Sequence, residues 1–309
     1  NSTFSIDERV KQFQVREALR EAELPIDVFY DHNIFRVNGE SSPAMEYGCH
    51  GVSEGNRAFH AKLSLVLVSN GKEQPDSLLV GAGSNNLTRA GWWDNVECQH
   101  WEEVAQTGAE NGFLEVLRAD LDYLNGKLFN RSENSAVRRI QNFLNKCVPD
   151  TSAVPVHFFG LSQGPRFIDF LMDKLRPFDG TVELEIVSPF FADDTKNQLH
   201  EAFANLGVRS VRLLMPRDDR YQALCNLDYL THIDNCENVT WANWVKETAD
   251  SLGVGKDKTP FRELHAKIFH FLGQDLSYIF VGSVNFTHKA LYENVEAGFL
   301  VATKPQPLL

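Results

Sequence analysis

Short apolar runs separated by polar turns recur along the chain and predict buried strands. They lie at 63–68, 78–80, 182–191, 211–216 and 268–272, with a further run at 278–281. Each run is short, contains β-branched or aromatic residues and is bounded by turn residues, which is typical of a strand. After 182–191, Asp193 and Asp194 resemble a helix N-cap, and Leu199, Phe203 and Leu206 follow at helical spacing.

A similar order of elements begins the chain. The pattern predicts a strand at 3–7, a helix to about residue 23 and a strand at 26–30. Two further helices fit about 112–125 and 134–146. Strand–helix–strand units of this kind imply parallel pairing, so the sequence predicts an α/β layer structure.

Three short segments occur twice in the same order. FHAKL at 59–63 recurs as LHAKI at 264–268, VGAGSNNLT at 80–88 recurs as FVGSVNFT at 280–287, and NVE at 95–97 recurs at 294–296. The last Asn of the second segment and the Glu of the third are 11 residues apart in both copies. The surplus length of the first copy falls in the polar stretch 69–76, as expected of a hairpin loop. We therefore predict two similar halves, 1–150 and 151–309, each with a strand that carries the His and Lys and a second strand that ends at Gly-Ser.

Composition narrows the class of protein. The 309 residues include 30 Lys and Arg and 42 Asp and Glu, which gives a net charge of −12. This acidic balance makes nucleic-acid binding less expected, although a local basic groove can exist on an acidic protein. The five cysteines are scattered, which favours reduced thiols over a disulfide framework or a zinc site. No apolar run is long enough for a membrane span and no export leader is evident, so a cytoplasmic location is expected. The first residue is Asn1 and not Met, so whether the sequence is a processed or excised piece of a longer chain is left open, as are further domains or partners.

The repeated residues suit the cleavage of a phosphodiester. One neutral histidine can attack phosphorus while a second, protonated, acts as general acid and then as base. Two lysines bring positive charge to the phosphate, the Ser and Asn residues offer hydrogen-bond donors, and the glycines let the backbone approach a ligand. A carboxylate on the far ring nitrogen of each histidine would fix its tautomer, and Glu97 and Glu296 are the candidates. This chemistry requires no metal or other cofactor.

The paired His-x-Lys and Gly-Ser-x-Asn segments resemble the signatures of the phospholipase D superfamily. The resemblance implies two α/β halves related by a pseudo-twofold axis, with mixed sheets flanked by helices and the active site between the halves. It implies that His60 is the nucleophile and His265 the general acid, and that Glu97 supports His265 while Glu296 supports His60. The implied phosphate-holding residues are Lys62, Lys267, Asn86 and Asn285, with Ser84 and Ser283 in support.

One departure from the superfamily pattern bears on the substrate. Where the lipid-cleaving branch carries Asp five residues after the Lys, this chain has Leu67 and Leu272. The pattern is closer to tyrosyl-DNA phosphodiesterases and some nucleases of the superfamily. Trp92 and Trp93 could stack on nucleobases or pack at the rim, and Arg89 could extend the cationic surface.

We therefore expect a metal-independent phosphodiesterase that acts on nucleic acid, DNA more than RNA, through a covalent phosphohistidine. Nuclease and DNA-end-processing activities both fit, and strandedness stays open. A phospholipase or phosphatidyltransferase would share the site, and a non-catalytic nucleic-acid-binding subunit is the third alternative. No membrane association is expected. His270, which has no repeated counterpart, is interpreted as structural, and Trp241 and Trp244 as core or interface residues.

Overall fold

The computed structural model describes most of the chain. The described residues are 24–33, 48–69, 71, 76–88, 90–128, 135–162, 166–175, 182–191, 199–255 and 261–309. The predicted strand and helix at 3–23, the N-cap at Asp193 and Asp194, and Arg89 lie outside them.

Among its described residues, the first half of the chain has seven short strands, a π-helical turn and two α-helices. In order these are β1 Asp27–Asp31, β2 Gly48–Val52, β3 Leu63–Val68, β4 Ser77–Gly83, a π-helical turn Ala90–Asp94, β5 Gln99–Ala105, β6 Thr107–Ala109, α1 Asn111–Gly126, α2 Ala136–Leu144 and β7 Val148–Pro149. β3, β4 and β5 form an antiparallel sheet with β4 in the centre, while β1 pairs with β2 and β6 with β7 in parallel. The central β4 is almost wholly buried, as its apolar sequence predicts.

The second half is organised around a seven-stranded mixed sheet. Its elements are β8 His157–Phe159, α3 Phe167–Lys174, β9 Val182–Val187, a 3₁₀ helix Leu199–Leu206, β10 Val208–Leu214, α4 Leu227–Asp234, β11 Val239–Ala242, α5 Lys246–Leu252, β12 Ile268–Leu272, β13 Ser277–Gly282, α6 His288–Tyr292 and β14 Gly298–Thr303. The strand order is β11-β10-β9-β12-β13-β14-β8. β9, β10 and β11 are parallel, and the remaining pairs are antiparallel. The expected α/β architecture with mixed sheets and flanking helices is confirmed.

Most of the predicted elements agree closely with the structure. The strands at 63–68 and 268–272 have the predicted bounds, and the predicted helices correspond to α1 and α2. α1 begins where the Glu110 side chain accepts hydrogen bonds from the backbone N–H groups of Gly112 and Phe113. The repeated strands β4 and β13 end at Gly83 and Gly282, as predicted. The prediction that each His and Lys lies on a strand is wrong in detail, because both pairs lie in the extended segment just before β3 and β12.

The two halves share hydrophobic packing. One buried cluster centres on β9, β12, β13 and α3, and a second on β4, α1 and α2. The second cluster also contains residues from beyond position 150: Phe158, Leu161, Val295, Ala297 and Phe299. The Phe299 ring lies 5.8 Å from that of Phe113 and 4.8 Å from that of Phe158. The second half therefore supplies part of the first half's core, and the boundary at 150 stays a prediction.

Candidate active site

Two short backbone bridges join each His-x-Lys segment to the Asn-Val-Glu segment of the other half. Phe59 pairs with Val295, and Val96 pairs with Leu264, both in parallel. The His60 N–H donates to the Val295 carbonyl at 2.9 Å, and the His265 N–H donates to the Val96 carbonyl at 2.9 Å. Because Glu296 and Glu97 directly follow these valines, each bridge brings a histidine beside a carboxylate that lies about 200 residues away along the chain.

The two histidines make matched contacts with these carboxylates. His60 Nδ1 lies 3.0 Å and 2.9 Å from the two Glu296 carboxylate oxygens. His265 Nδ1 lies 3.0 Å from Glu97 Oε2 and 2.9 Å from Glu97 Oε1. A carboxylate can only accept, so Nδ1 carries the proton in each ring and a neutral ring keeps its lone pair on Nε2. The crossed contacts that the resemblance implied are present.

The Gly-Ser serines hold the same carboxylates. Ser84 Oγ donates to Glu97 and Ser283 Oγ donates to Glu296, and both serines are fully buried. Each hydroxyl also accepts a backbone N–H, from Cys98 at 2.9 Å and from Ala297 at 3.0 Å. The sequence suggested serine donors for phosphate oxygens. In the structure both hydroxyl protons are directed at the glutamates, so the serines serve the histidines through them.

Two asparagines belong to this arrangement and were not among the predicted site residues. Asn95 Nδ2 donates to Glu97 Oε1 at 3.3 Å, and Asn294 Nδ2 donates to Glu296 Oε1 at 3.3 Å. The signal was present in the sequence, since Asn is the first residue of the repeated NVE segment. Each glutamate therefore accepts from a histidine, a serine and an asparagine.

The repeated glycines allow two strands to approach each other. A Cβ atom on Gly83 would lie 2.4 Å from the Cys98 carbonyl oxygen, and one on Gly282 would lie 2.4 Å from the Ala297 carbonyl oxygen. A contact this short would force the backbone to shift, so glycine is the residue that fits before each serine without strain. The sequence suggested that these glycines make room for a ligand. The structure shows instead that they make room for the segment that leads from each glutamate into β5 or β14.

The two repeated lysines are buried. Lys62 is 9% exposed and Lys267 is 0% exposed. Each Nζ donates to the backbone carbonyl of the histidine two residues earlier, at 2.7 Å in both halves. Burial lowers the pKa of Lys62 to about 7 and that of Lys267 to about 8, although Glu97 and Glu296 oppose the shift.

The histidine pKa values show that both halves contribute to one electrostatic site. Burial lowers the pKa of His60 to about 4, with help from Lys62 and Lys267 and against the opposing effect of Glu296. Burial also lowers the pKa of His265, with contributions from the same two lysines against Glu97. Each histidine is thus influenced by the lysine of the other half. The free protein at neutral pH therefore holds His60 as the neutral ring, the form that can act as a nucleophile.

The motif asparagines lie on the two loops that follow β4 and β13. The carboxamide oxygens of Asn86 and Asn285 are both buried and have no hydrogen-bond partner among the described residues. The chain places them at matched positions, two residues after Ser84 and Ser283. Their predicted role in holding phosphate stays a prediction.

The remaining candidates lie around this centre or away from it. Trp92 and Trp93 are 58% and 72% exposed, and their rings are 6.0 Å apart in the π-helical turn after the first motif loop. His270 is buried and its Nδ1 lies 2.9 Å from Glu185 Oε2, in a contact separate from the two repeated motifs. Trp241 packs edge-on against Phe191.

Two broader features of the described residues complete the description. Among them, no three His, Cys, Asp or Glu side chains are grouped so that they could hold a metal ion. None of the helices that the structure describes is both long and apolar enough to cross a membrane.

Comparison with solved structures identifies the fold. Two variants of yeast tyrosyl-DNA phosphodiesterase align with TM-scores of 0.54 and 0.52 at 14% and 13% identity. Each alignment covers 82% of this chain, and the two alignments cover 70% and 69% of the respective yeast chains. A phosphatidylserine synthase from Haemophilus influenzae aligns with a TM-score of 0.49 at 14% identity, over 98% of this chain and 76% of that one. No protein-family model matches the sequence, and no curated protein matches it.

The chain therefore has the fold of the phospholipase D superfamily. Within that fold class it is similar to the tyrosyl-DNA phosphodiesterase of yeast. At this level of sequence identity the similarity concerns the fold, and the chemistry is argued from the site itself.

Proposed function

We propose that this protein is a phosphodiesterase that cleaves nucleic acid by a two-step displacement. The observation that carries the proposal is the pair of crossed His–Glu contacts, 2.9–3.0 Å each, with a buried lysine beside each histidine. Paired imidazoles with fixed tautomers, one available as a nucleophile and one as a proton carrier, are what a metal-free displacement at phosphorus needs.

In the first step, His60 Nε2 attacks phosphorus and the bond from phosphorus to the leaving oxygen breaks. His265 gives its Nε2 proton to that oxygen. In the second step, a water molecule attacks the phosphohistidine, His265 takes the proton of the water, and the P–N bond breaks to release the phosphate product. Lys62 and Lys267 stabilise the added negative charge on the non-bridging oxygens, and Asn86 and Asn285 donate hydrogen bonds to them.

The protonation state of His265 depends on the substrate. Burial and the two lysines lower its pKa in the free protein, which disfavours the imidazolium form. An anionic phosphodiester bound beside the ring supplies the opposite charge and raises that pKa. Substrate binding therefore loads His265 with the proton that the first step requires, while His60 stays neutral because its pKa begins near 4.

Nucleic acid is the substrate that the residues favour. Leu67 and Leu272 replace the aspartates of the lipid-cleaving pattern, and both leucines lie on strands. The exposed pair Trp92 and Trp93, next to the first motif loop, offers rings on which bases can stack. DNA is preferred over RNA in this proposal because the structural similarity is to a tyrosyl-DNA phosphodiesterase.

The test is a cleavage assay in the presence of EDTA. The substrates are single- and double-stranded DNA, RNA, a 3′-phosphotyrosyl oligonucleotide and phosphatidylcholine vesicles. We expect turnover of at least one nucleic-acid substrate, a loss of about 10³-fold or more in His60→Ala and His265→Ala, and little change in His232→Ala, a histidine on α4. An acid-labile phosphoprotein that forms in the wild type and is missing in His60→Ala supports the covalent step. Cleavage of lipid alone, or nucleic-acid cleavage that survives both substitutions, contradicts the proposal.

A further inference from the structure

A pocket of about 390 Å³ lies at the carboxyl ends of the parallel strands β10 and β11. Residues directly after these strands line it, including Met215, Arg217, Asn243 and Trp244. In open α/β sheets this edge is where ligands bind. Pockets that hold small ligands usually have volumes of about 300–1,000 Å³, so this one has room for a group of nucleoside size.

The pocket adjoins the segment that carries His265. Val96 and Leu264, the two residues of the second bridge, form part of its lining. Leu264 directly precedes His265, and the Val96 carbonyl accepts the His265 N–H at 2.9 Å. A group that occupies this space therefore lies against the backbone segment that carries His265.

The lining combines a cation with aromatic rings. The Arg217 guanidinium lies 5.0 Å from the centroid of the Tyr221 ring, in a cation–π contact. Arg217 Nη2 also donates to Asn243 Oδ1 at 3.0 Å, which fixes the guanidinium plane from a second side. Trp244, Phe261 and Arg262 complete this part of the wall. Aromatic rings and arginine planes are the surfaces on which nucleobases stack.

A tight turn presents Tyr221. Asp218 Oδ1 accepts from the backbone N–H groups of Arg220 at 2.9 Å and Gln222 at 2.7 Å. Tyr221 sits at the apex with φ of 66°, the one positive φ of a non-glycine residue in the described ranges. This conformation is strained for a non-glycine residue, and residues held in it cluster at active sites and ligand clamps. The turn thereby holds the tyrosine against Arg217.

We propose that this pocket binds the nucleoside whose oxygen leaves during cleavage, with its base stacked on the Arg217–Tyr221 pair. The inference rests on the proposed function, with His265 as the proton donor, and adds the position of the leaving group. A base offers a flat π-surface to the stack and polar edges to the Asn243 amide. The enzyme is then selective for phosphodiesters that have a base on the leaving side.

The test compares two oligonucleotides that differ in one group. The first has an ordinary nucleotide on the leaving side of a single cleavable phosphodiester, and the second has an abasic sugar there. The measured quantity is the ratio of kcat/KM for the first substrate to kcat/KM for the second. We expect Arg217→Ala to lower this ratio by about tenfold, from the loss of one stacking partner. Arg217→Lys should lower it similarly, because lysine keeps the charge and loses the planar group.

The matched control is Arg209→Ala, which removes the same charge from an exposed position at the opposite end of β10. Its ratio should equal that of the wild type. The inference is overturned if the wild type cleaves both oligonucleotides equally well, or if Arg217→Ala and Arg209→Ala give the same ratio. In either case cleavage itself continues, and the proposed function stands. If the wild type cleaves neither oligonucleotide, the proposed function and this inference are overturned together.

Discussion

Replacing the two buried glutamates by glutamine, one at a time, should separate the roles of the two histidines. Glu296 accepts hydrogen bonds from His60 Nδ1, Ser283 Oγ and Asn294 Nδ2, so three donors point at one carboxylate. Glutamine has the same shape but offers one acceptor oxygen and an NH₂ group that only donates. At least one of the three donors then faces another donor.

The size of the effect follows from the bond that is lost. A hydrogen bond to a charged group contributes about 1.5–3 kcal/mol. If that contribution is realised in the transition state, kcat/KM falls by about 10- to 150-fold. Glu97→Gln removes the corresponding support from His265, where the distances are also 2.9–3.0 Å. On a substrate with an ordinary sugar alcohol as leaving group, both variants should lose activity to this extent.

A p-nitrophenyl phosphodiester of a nucleoside distinguishes the two variants. Its leaving group departs without a proton, so the acid is dispensable in the first step and kcat/KM reports that step alone. Glu97→Gln should keep kcat/KM within about threefold of the wild type on this ester. Glu296→Gln should show the same deficit as on the natural leaving group, because the nucleophile is needed for both substrates.

The control is Glu103→Gln, an exposed position on β5, which should match the wild type on both substrates. If the pattern is reversed, with Glu296→Gln spared on the chromogenic ester, His265 is the nucleophile and His60 the acid. If neither variant loses more than about twofold on any substrate, the carboxylates do not orient the histidines and the reasoning from these contacts is refuted.

Three further predictions follow from the burial of the site and of its surroundings. Since His60 has a pKa of about 4 and is active as the neutral ring, kcat/KM should rise from pH 3 to 5. It should fall toward higher pH as two groups of the free protein lose their protons: the acid His265, whose pKa burial lowers, and Lys62, whose pKa is about 7. A profile still rising from pH 7 to 9 contradicts this. Gly282→Ala should lower the free energy of unfolding by about 1–3 kcal/mol and reduce activity, because the alanine methyl group would lie 2.4 Å from a backbone carbonyl oxygen. An unchanged urea denaturation curve would exclude this clash. Glu185→Ala leaves the buried His270 without its carboxylate partner and should lower the free energy of unfolding by about 3–5 kcal/mol. Glu183→Ala, at an exposed position of the same strand, should lower it by under about 1 kcal/mol. Equal urea midpoints for the two variants would count against a buried network.

The sequence predicted the strands well and identified the repeated segments that meet in the structure, because short apolar runs and duplicated motifs are local signals. The crossing of Glu97 and Glu296 came only from the resemblance, since periodicity carries no information about which residues meet across about 200 positions of chain. The serine hydroxyls were assigned to the ligand because a sequence does not tell which partner a short polar side chain finds first.

The pocket around Arg217 and Tyr221 could not be predicted in the same way. Its walls come from four separate segments, and nothing in the pattern of the turn at 218–222 distinguishes it from an ordinary surface loop. The loop follows the end of β10, and the pairing of Val96 with Leu264 brings the catalytic segment to the same pocket. The position of this pocket therefore depends on contacts between distant segments of the chain, which local sequence patterns do not reveal.

The two bridges, Phe59–Val295 and Val96–Leu264, each join residues from both halves, so the site is complete only when both halves have folded together. In a molecule in which one half has folded alone, its histidine would lack the glutamate that fixes the tautomer, and its glutamate would lack the histidine that it contacts. Under the proposed function, newly made or partly denatured copies would leave nucleic acid uncut until both halves have folded. During refolding, turnover should return with the slowest structural phase and never ahead of it.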